Sequence, residues 1–278
     1  MRWSQRSMIV LSMAHVEQVT ARPAKQRIRQ AFDQAAATYD AAADVQREVC
    51  DRLGAYLRQC SIPLDPTAIL DAGCGTGYGA RWLQTCWPRS RLTLLDFAPA
   101  MLVAARPRCP TAELVCADIE ALPVLAQRFD LYWSSLAWQW NDPSRCLVEA
   151  ERVLKPGGIL AVATLGTANF PELRQAFAET DGYSHTLTIP SSEQLLTACQ
   201  ATGWQVCIWQ RQPVQRYYPD VRTVLRSVKD VGAHEVERRR PTLLSRPAWQ
   251  AITARYERLR QPAGLPLTYD AVWLIATR

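Results

Sequence analysis

The sequence predicts an α/β fold: a seven-stranded, mostly parallel sheet with helices on both faces, N-terminal helices ahead of it and a helical insertion before its last strand. Three observations predict it. From residue 68 onward, short apolar runs alternate with helix-period stretches, the pattern of a parallel sheet covered on both sides. The first run ends in an acid followed by a glycine cluster, Asp71-Ala72-Gly73-Cys74-Gly75-Thr76-Gly77. The composition, 48% apolar and 21% charged over 278 residues, supplies a core without help from disulfides or metals.

Each element follows from its residues. Apolar positions recur at helical spacing in 26–38 and 44–59, giving two helices ahead of the sheet. Ala68–Asp71 is the first strand and Tyr78–Cys86 the first crossover helix. Arg91–Asp96 is the second strand, and Pro99–Ala105 a helix with proline in its first turn. Ala112–Cys116 and Phe129–Ser134 are strands three and four. Asp142 is placed to cap a helix over 142–153 that has Pro143 at its first position. Lys155–Gly158 is a turn and Ile159–Thr164 the fifth strand. Helices are expected at 171–179 and 191–200, a sixth strand at Trp204–Arg211, Arg-rich helices at 218–232 and 246–260, and a closing strand at Leu267–Thr277.

Charge is unevenly distributed. Residues 1–210 hold 19 basic and 20 acidic side chains, whereas 211–260 hold 12 basic and 5 acidic, so the excess of +7 lies in one stretch. The nine cysteines are scattered, with no C-x-x-C pair, and there are three histidines, which argues against a zinc site or a disulfide scaffold and for free thiols in the cytoplasm. Met8–Met13 is too short to span a bilayer. The expected organisation is a disordered leader over 1–24, with Met13 as a candidate start, and one domain over 25–278. That domain divides into N-terminal helices (25–60), a ligand-binding core (66–211), a basic helical insertion (212–266) and the closing strand (267–277).

The glycine cluster selects the ligand. Aligned with G-x-G-x-x-G, it puts Tyr78 where the third glycine belongs, and the phosphate-cradling G-x-x-x-x-G-K-[ST] is absent. An acid just before the glycines repels a pyrophosphate and suits an ammonium. Asp96 ends strand two, where a carboxylate accepts ribose hydroxyls. Asp118 follows strand three, placed for an adenine amino group. Ribose, adenine and a cationic amino acid without phosphate describe S-adenosylmethionine.

This order of motifs resembles the class I S-adenosylmethionine-dependent methyltransferases, which are Rossmann-like. The resemblance runs over about 68–165, through D-A-G-C-G-T-G, the acid at 96, A-D-I-E-A-L-P at 117–123, F-D-L at 129–131 and V-L-K-P-G-G at 153–158. It implies cofactor contacts at Asp71, Gly73, Cys74, Gly75 and Gly77 on the methionine side. Asp96, Phe97, Met101, Asp118, Ile119 and Ser134 are implied around the nucleoside. Ala98 stands where the family's D-x-S-x-x-M pattern has serine, a change that leaves the backbone shape available.

Further stretches are similar to the malonyl-acyl-carrier-protein O-methyltransferases of biotin synthesis: Ala31–Asp40 with Gln46-Arg47, Trp133–Trp140, Thr164-Leu165 with Pro171–Arg174, Leu225–Ala233, and Pro266–Tyr269. That resemblance implies methyl transfer to a malonyl carboxylate carried by an acidic acyl carrier protein, with Tyr39 and Gln46 closing over the cofactor. The basic insertion is the expected docking surface, through Arg222, Arg226, Lys229, Arg238, Arg239 and Arg240. Arg226, Lys229, His185 and His234 are candidates to hold the acceptor carboxylate. A carboxylate is ionised at neutral pH and needs no general base, in keeping with the lack of a Ser/His/Asp or Cys/His constellation. No metal is expected. Arg238–Arg240 lacks the aromatic interleaving of a nucleic-acid surface. A free dicarboxylate or quinone acceptor, or a non-catalytic nucleic-acid regulator, are the competing readings.

Overall fold

A computed structural model describes residues 25–178, 186–232 and 245–278. The expected leader lies outside the described residues. Seven strands form one sheet in the order β3-β2-β1-β4-β5-β7-β6: β1 Ala68–Ala72, β2 Arg91–Asp96, β3 Glu113–Cys116, β4 Phe129–Ser135, β5 Leu154–Leu165, β6 Gln205–Tyr218 and β7 Leu265–Thr277. The first five run parallel, and β7 is antiparallel to both β5 and β6. The chain builds β1, β2 and β3 outward, then returns to place β4 on the other side of β1. That reversal is the switch point at which open α/β sheets bind ligands, beyond the carboxyl ends of the strands. Every residue of β1 is buried, as expected of a central strand covered on both faces.

Among the described residues ten α-helices surround the sheet: α1 Lys25–Ala35, α2 Tyr39–Ala42, α3 Asp44–Gln59, α4 Tyr78–Cys86, α5 Pro99–Ala105, α6 Pro143–Val153, α7 Pro171–Phe177, α8 Ser192–Ala201, α9 Val221–Asp230 and α10 Arg246–Glu257. One face is covered by α3, which crosses β4, β5, β6 and β7 and is pinned where Trp273 Nε1–H donates to the Val49 carbonyl at 2.9 Å. The other is covered by α6 and α8, through Leu147, Ala150, Val153, Leu195 and Cys199. The cap expected at Asp142 is present: Ser144 N–H donates to its Oδ1 at 2.9 Å, and Pro143 occupies the first turn.

Two boundaries differ most from expectation. Strand β6 runs on to Tyr218 and pairs along its whole length with β7, as far as Tyr218 opposite Leu265. The helical insertion is therefore shorter than 212–266. Pro213 lies within this extension, where it is tolerated because β6 is an edge strand and a residue without an N–H leaves no ladder bond unmade on its open side. The Lys155–Gly158 turn is absorbed into β5 as a break in register between Phe129/Leu154 and Leu131/Ile159. No helix among the described residues is long and apolar enough to cross a membrane.

Candidate active site

At the end of β1 the chain turns sharply. Gly73 adopts φ +80°, and a Cβ there would lie 2.3 Å from the Ala137 Cβ, so a side chain is excluded both by conformation and by space. Gly77, at φ +84°, starts α4 and lies against Ala105 rather than on the pocket. Between them the Gly75 N–H donates to Asp96 Oδ2 at 2.9 Å, tying the loop to the end of β2.

Two hollows open over these strand ends and share Tyr39, Gly73, Gly75 and Ser135. Their empty volumes, open solvent included, are about 530 and 480 Å³. The outer one is bordered by Asp96, Phe97, Met101, Asp118, Ile119 and Trp140. The inner one is bordered by Tyr39, Gln46, Arg47, Asp71, Cys74 and Trp133. The sequence-predicted residues are thus brought together along one trough, with three exceptions. Gly77 shapes the turn from behind. Ser134 points to the opposite face of β4, where it is fully buried and its hydroxyl donates to the Ala72 carbonyl at 2.7 Å. Its neighbour Ser135 borders both hollows instead, because side chains alternate along a strand. The third exception is the set of carboxylate-holding candidates. Arg226 and Lys229 stand exposed on α9, away from both hollows, because Val224 and Val228 take its buried face. His185 and His234 lie outside the described residues.

The electrostatics differ along the trough. Asp96 is buried, which pushes its carboxyl up to about 6, although the backbone N–H groups of Ala98 and Gly75 donate to it and offset part of that rise. Each carboxylate oxygen retains a lone pair for a further donor. The bond from Ala98 uses the backbone alone, which is why alanine serves where the family pattern has serine. Asp71 is buried without a compensating cation. Burial, then the charge of Asp96, raises its carboxyl to about 8. Its Oδ2 and the Oε1 of Gln46 are buried acceptors without a partner, both bordering the inner hollow. Two orphaned acceptors at one end and the Asp96 carboxylate at the other fit a ligand with an ammonium and a ribose. Among the described residues no cationic side chain borders the outer hollow to receive a phosphate.

A roof over the trough was only partly legible in the sequence. It is made by α1 and α2 and held by polar latches. Lys25 pairs with Asp118 and, at 3.0 Å, with Glu120. Asp33 accepts the Ala100 N–H at 3.0 Å. Asp40 accepts from Thr76 Oγ1 at 2.6 Å and Arg108 at 2.5 Å, and Arg108 also donates to the Thr76 carbonyl. Burial works against the Asp40 carboxylate, but these donors hold it below its usual range. Phe32 projects from α1 edge-on to Trp140 at 5.5 Å and Phe97 at 6.2 Å. Among the described residues Arg47 is the cation on the inner hollow; it donates to the Asp40 carbonyl at 2.6 Å and pairs with Asp44. Its position beside Gln46 at the start of α3 was visible in the sequence, but its direction was not.

The basic stretch is divided by the structure. Arg211 pairs with Asp270 and Glu193, Arg216 with Glu48, and Arg260 with Glu257. Arg222, Arg226 and Lys229 share one exposed face of α9 at i, i+4 and i+7, with Arg222 lying over the Trp249 ring at 5.8 Å. Arg238, Arg239 and Arg240 lie outside the described residues. The end of α9 abuts the roof: Thr38 Oγ1 donates to the Asp230 carbonyl at 3.2 Å, and Gly232 lies against the Phe32 ring.

Residues 70–162 match a family model described as a methyltransferase domain. Among solved structures, a putative methyltransferase from Bacillus halodurans covers 81% of the chain and 97% of its own, with 15% identity and a TM-score of 0.57, which speaks to the fold. The matched domain, the sheet order and the relatives that follow define the chain as a methyltransferase of the class I type, with S-adenosylmethionine as its cofactor. Malonyl-acyl-carrier-protein O-methyltransferases of Dechloromonas aromatica and Laribacter hongkongensis are 45% and 42% identical to it, over 92% and 90% of this chain and 96% and 88% of theirs. The biotin biosynthesis bifunctional protein BioHC of Cellvibrio japonicus is 34% identical over 98% of this chain and 54% of its own. The chain belongs to the malonyl-acyl-carrier-protein O-methyltransferase family.

Proposed function

We propose that the chain transfers a methyl group to the free carboxylate of a malonyl thioester on acyl carrier protein, giving the methyl ester used in the pimeloyl stage of biotin synthesis, in the cytoplasm. Likeness along nearly the whole chain to relatives of that name carries the choice of acceptor. The two orphaned acceptors, Asp71 Oδ2 and Gln46 Oε1, carry the placement of the cofactor.

S-adenosylmethionine supplies an electrophilic methyl on a sulfonium when bound. Asp71 and Gln46 accept from its ammonium, Arg47 faces its carboxylate, Asp96 takes the ribose hydroxyls, and Phe97, Met101 and Ile119 enclose the adenine. Asp118 faces the adenine amino group with the lone pairs left by Lys25 and the Glu120 N–H. The acceptor is an anion at neutral pH, so the site has no proton to remove. Burial pushes the Tyr39 hydroxyl far above its ordinary range, which keeps it neutral and suits it to hydrogen bonding rather than to base catalysis. The chain's contribution is alignment and exclusion of water beneath Phe32 and Trp140.

The exposed face of α9 is the docking surface for the acidic carrier, with Arg238–Arg240 continuing it in the sequence. Methyl transfer from labelled cofactor to malonyl-acyl carrier protein tests the assignment, with free malonate and succinyl-acyl carrier protein as controls. Label in free acids alone would favour the dicarboxylate reading.

A further inference from the structure

Ser135 ends β4 beside a kink that fixes it in place. Leu136, the next residue, adopts φ +56°, a conformation that costs free energy outside glycine and that the surrounding bonds must hold. Its N–H donates to the Ala163 carbonyl at 2.8 Å, and its carbonyl accepts from Gln139 Nε2 at 2.7 Å. Gln139 is buried, and its Oε1 accepts in turn from the buried Thr164 Oγ1 at 3.3 Å. Trp133 and Ser135 lie two apart on the face of β4 that borders the inner hollow, and the kink makes Ser135 the last strand residue on that face.

The described residues that border both hollows are Tyr39, Gly73, Gly75 and Ser135. In S-adenosylmethionine the sulfonium joins the ribose to the amino acid, so a cofactor with one end in each hollow carries its methyl past these four. The Gly73 N–H is spent on the Leu95 carbonyl at 2.7 Å, and the Gly75 N–H on Asp96. The donors left at the junction are two hydroxyls. That of Tyr39 comes from α2 in the roof, which partly exposed latches hold. That of Ser135 comes from the sheet, and its neighbour is the Cys50 thiol, a weak acceptor that leaves the hydroxyl available. We propose that Ser135 is the catalytic residue that selects the acceptor: its hydroxyl donates to one oxygen of the malonyl carboxylate and aims the other at the methyl carbon. A neutral donor suits this task. A bidentate guanidinium would occupy both oxygens, whereas one hydroxyl leaves the second free to attack. That second oxygen forms the new O–C bond, the S–C bond breaks with its electron pair passing to sulfur, and the Ser135 proton stays on its own oxygen. The inference rests on the reading that nucleoside and amino acid occupy the two hollows and that the acceptor is a malonyl carboxylate.

The test is calorimetric binding of malonyl- and acetyl-acyl carrier protein to the protein saturated with S-adenosylhomocysteine, in wild type and S135A. The two carriers differ only in the terminal carboxylate, so docking and the thioester arm cancel in the ratio of their affinities. Wild type is expected to prefer the malonyl carrier. S135A is expected to lose about tenfold of that preference, the effect of one hydrogen bond to a charged group, while its affinities for the acetyl carrier and for S-adenosylhomocysteine stay within about twofold of wild type. The kcat/KM for the malonyl carrier should fall by the same factor. An unchanged preference in S135A, or an equal loss for both carriers, overturns the proposal, because a structural fault does not single out the carboxylate. A loss of S-adenosylhomocysteine binding in S135A also overturns it, by placing the hydroxyl on the cofactor. Failure of the underlying reading looks different: wild type itself then shows no preference for the malonyl carrier and transfers no label to it.

Discussion

Asp71→Asn probes the inner hollow on the ligand-free protein. In the folded chain burial and Asp96 keep the Asp71 carboxyl protonated up to about 8, against 3.8 in its ordinary state. Between those limits the folded state binds more protons than the unfolded one, so stability falls as pH rises across that window. At pH 7 the gap amounts to about 4 kcal/mol as an upper bound. Asp96, raised to about 6, adds its own slope below that pH, which leaves pH 6 to 8 as the clean interval. Urea unfolding across this interval is the assay. Wild type is expected to lose about 2 kcal/mol between pH 6 and 8, while D71N stays nearly flat and is the more stable protein at pH 8, though impaired in cofactor binding. A wild-type profile as flat as that of D71N, or a D71N protein less stable than wild type at pH 8, would refute the account of a buried, uncompensated carboxyl.

Other outcomes follow from the same geometry. Cofactor binding near pH 7 is expected to release close to one proton, seen as a dependence of the binding enthalpy on the buffer's ionisation enthalpy; no such dependence removes the link to Asp71. Asp96→Ala should weaken cofactor binding at least tenfold by calorimetry, and an unchanged affinity counts against its ribose role. Arg108→Ala opens the latch between α2 and the glycine loop and should speed cofactor release severalfold in stopped flow, with little change in the unfolding midpoint because the pair is partly exposed. Charge reversal of Arg222, Arg226 and Lys229 to Glu should lower kcat/KM for the carrier-linked substrate far more than for malonyl-CoA, and equal losses speak against docking on α9.

The order of strands, the switch point and most of the trough were legible because they are encoded locally. A run such as Ala68–Leu70 is apolar throughout because both its faces are covered, and Gly73 is glycine because its φ and its contact with Ala137 allow nothing larger. What was not legible depends on direction or on distant partners. Ser134 and Ser135 differ by one residue in a strand, and a sequence does not say which face looks out on the ligand. The latches join Lys25 to Asp118 and Arg108 to Asp40 across long stretches of chain, so nothing local marks them. The basic excess was real, yet Arg211 and Arg216 spend it on pairs with Asp270 and Glu48, and the free face of α9 emerges only once Val221, Val224 and Val228 are buried. The extension of β6 past Pro213 was hidden because its place at the sheet edge is a tertiary fact.

The central claim is tested most directly by mixing purified protein with methyl-labelled cofactor and malonyl-acyl carrier protein and locating the label. The account predicts a base-labile methyl ester on the carrier-bound malonyl group, with little label on free malonate or on the succinyl carrier. Label on free malonate in preference to the carrier, or none on any carboxylate while the cofactor binds, would contradict it.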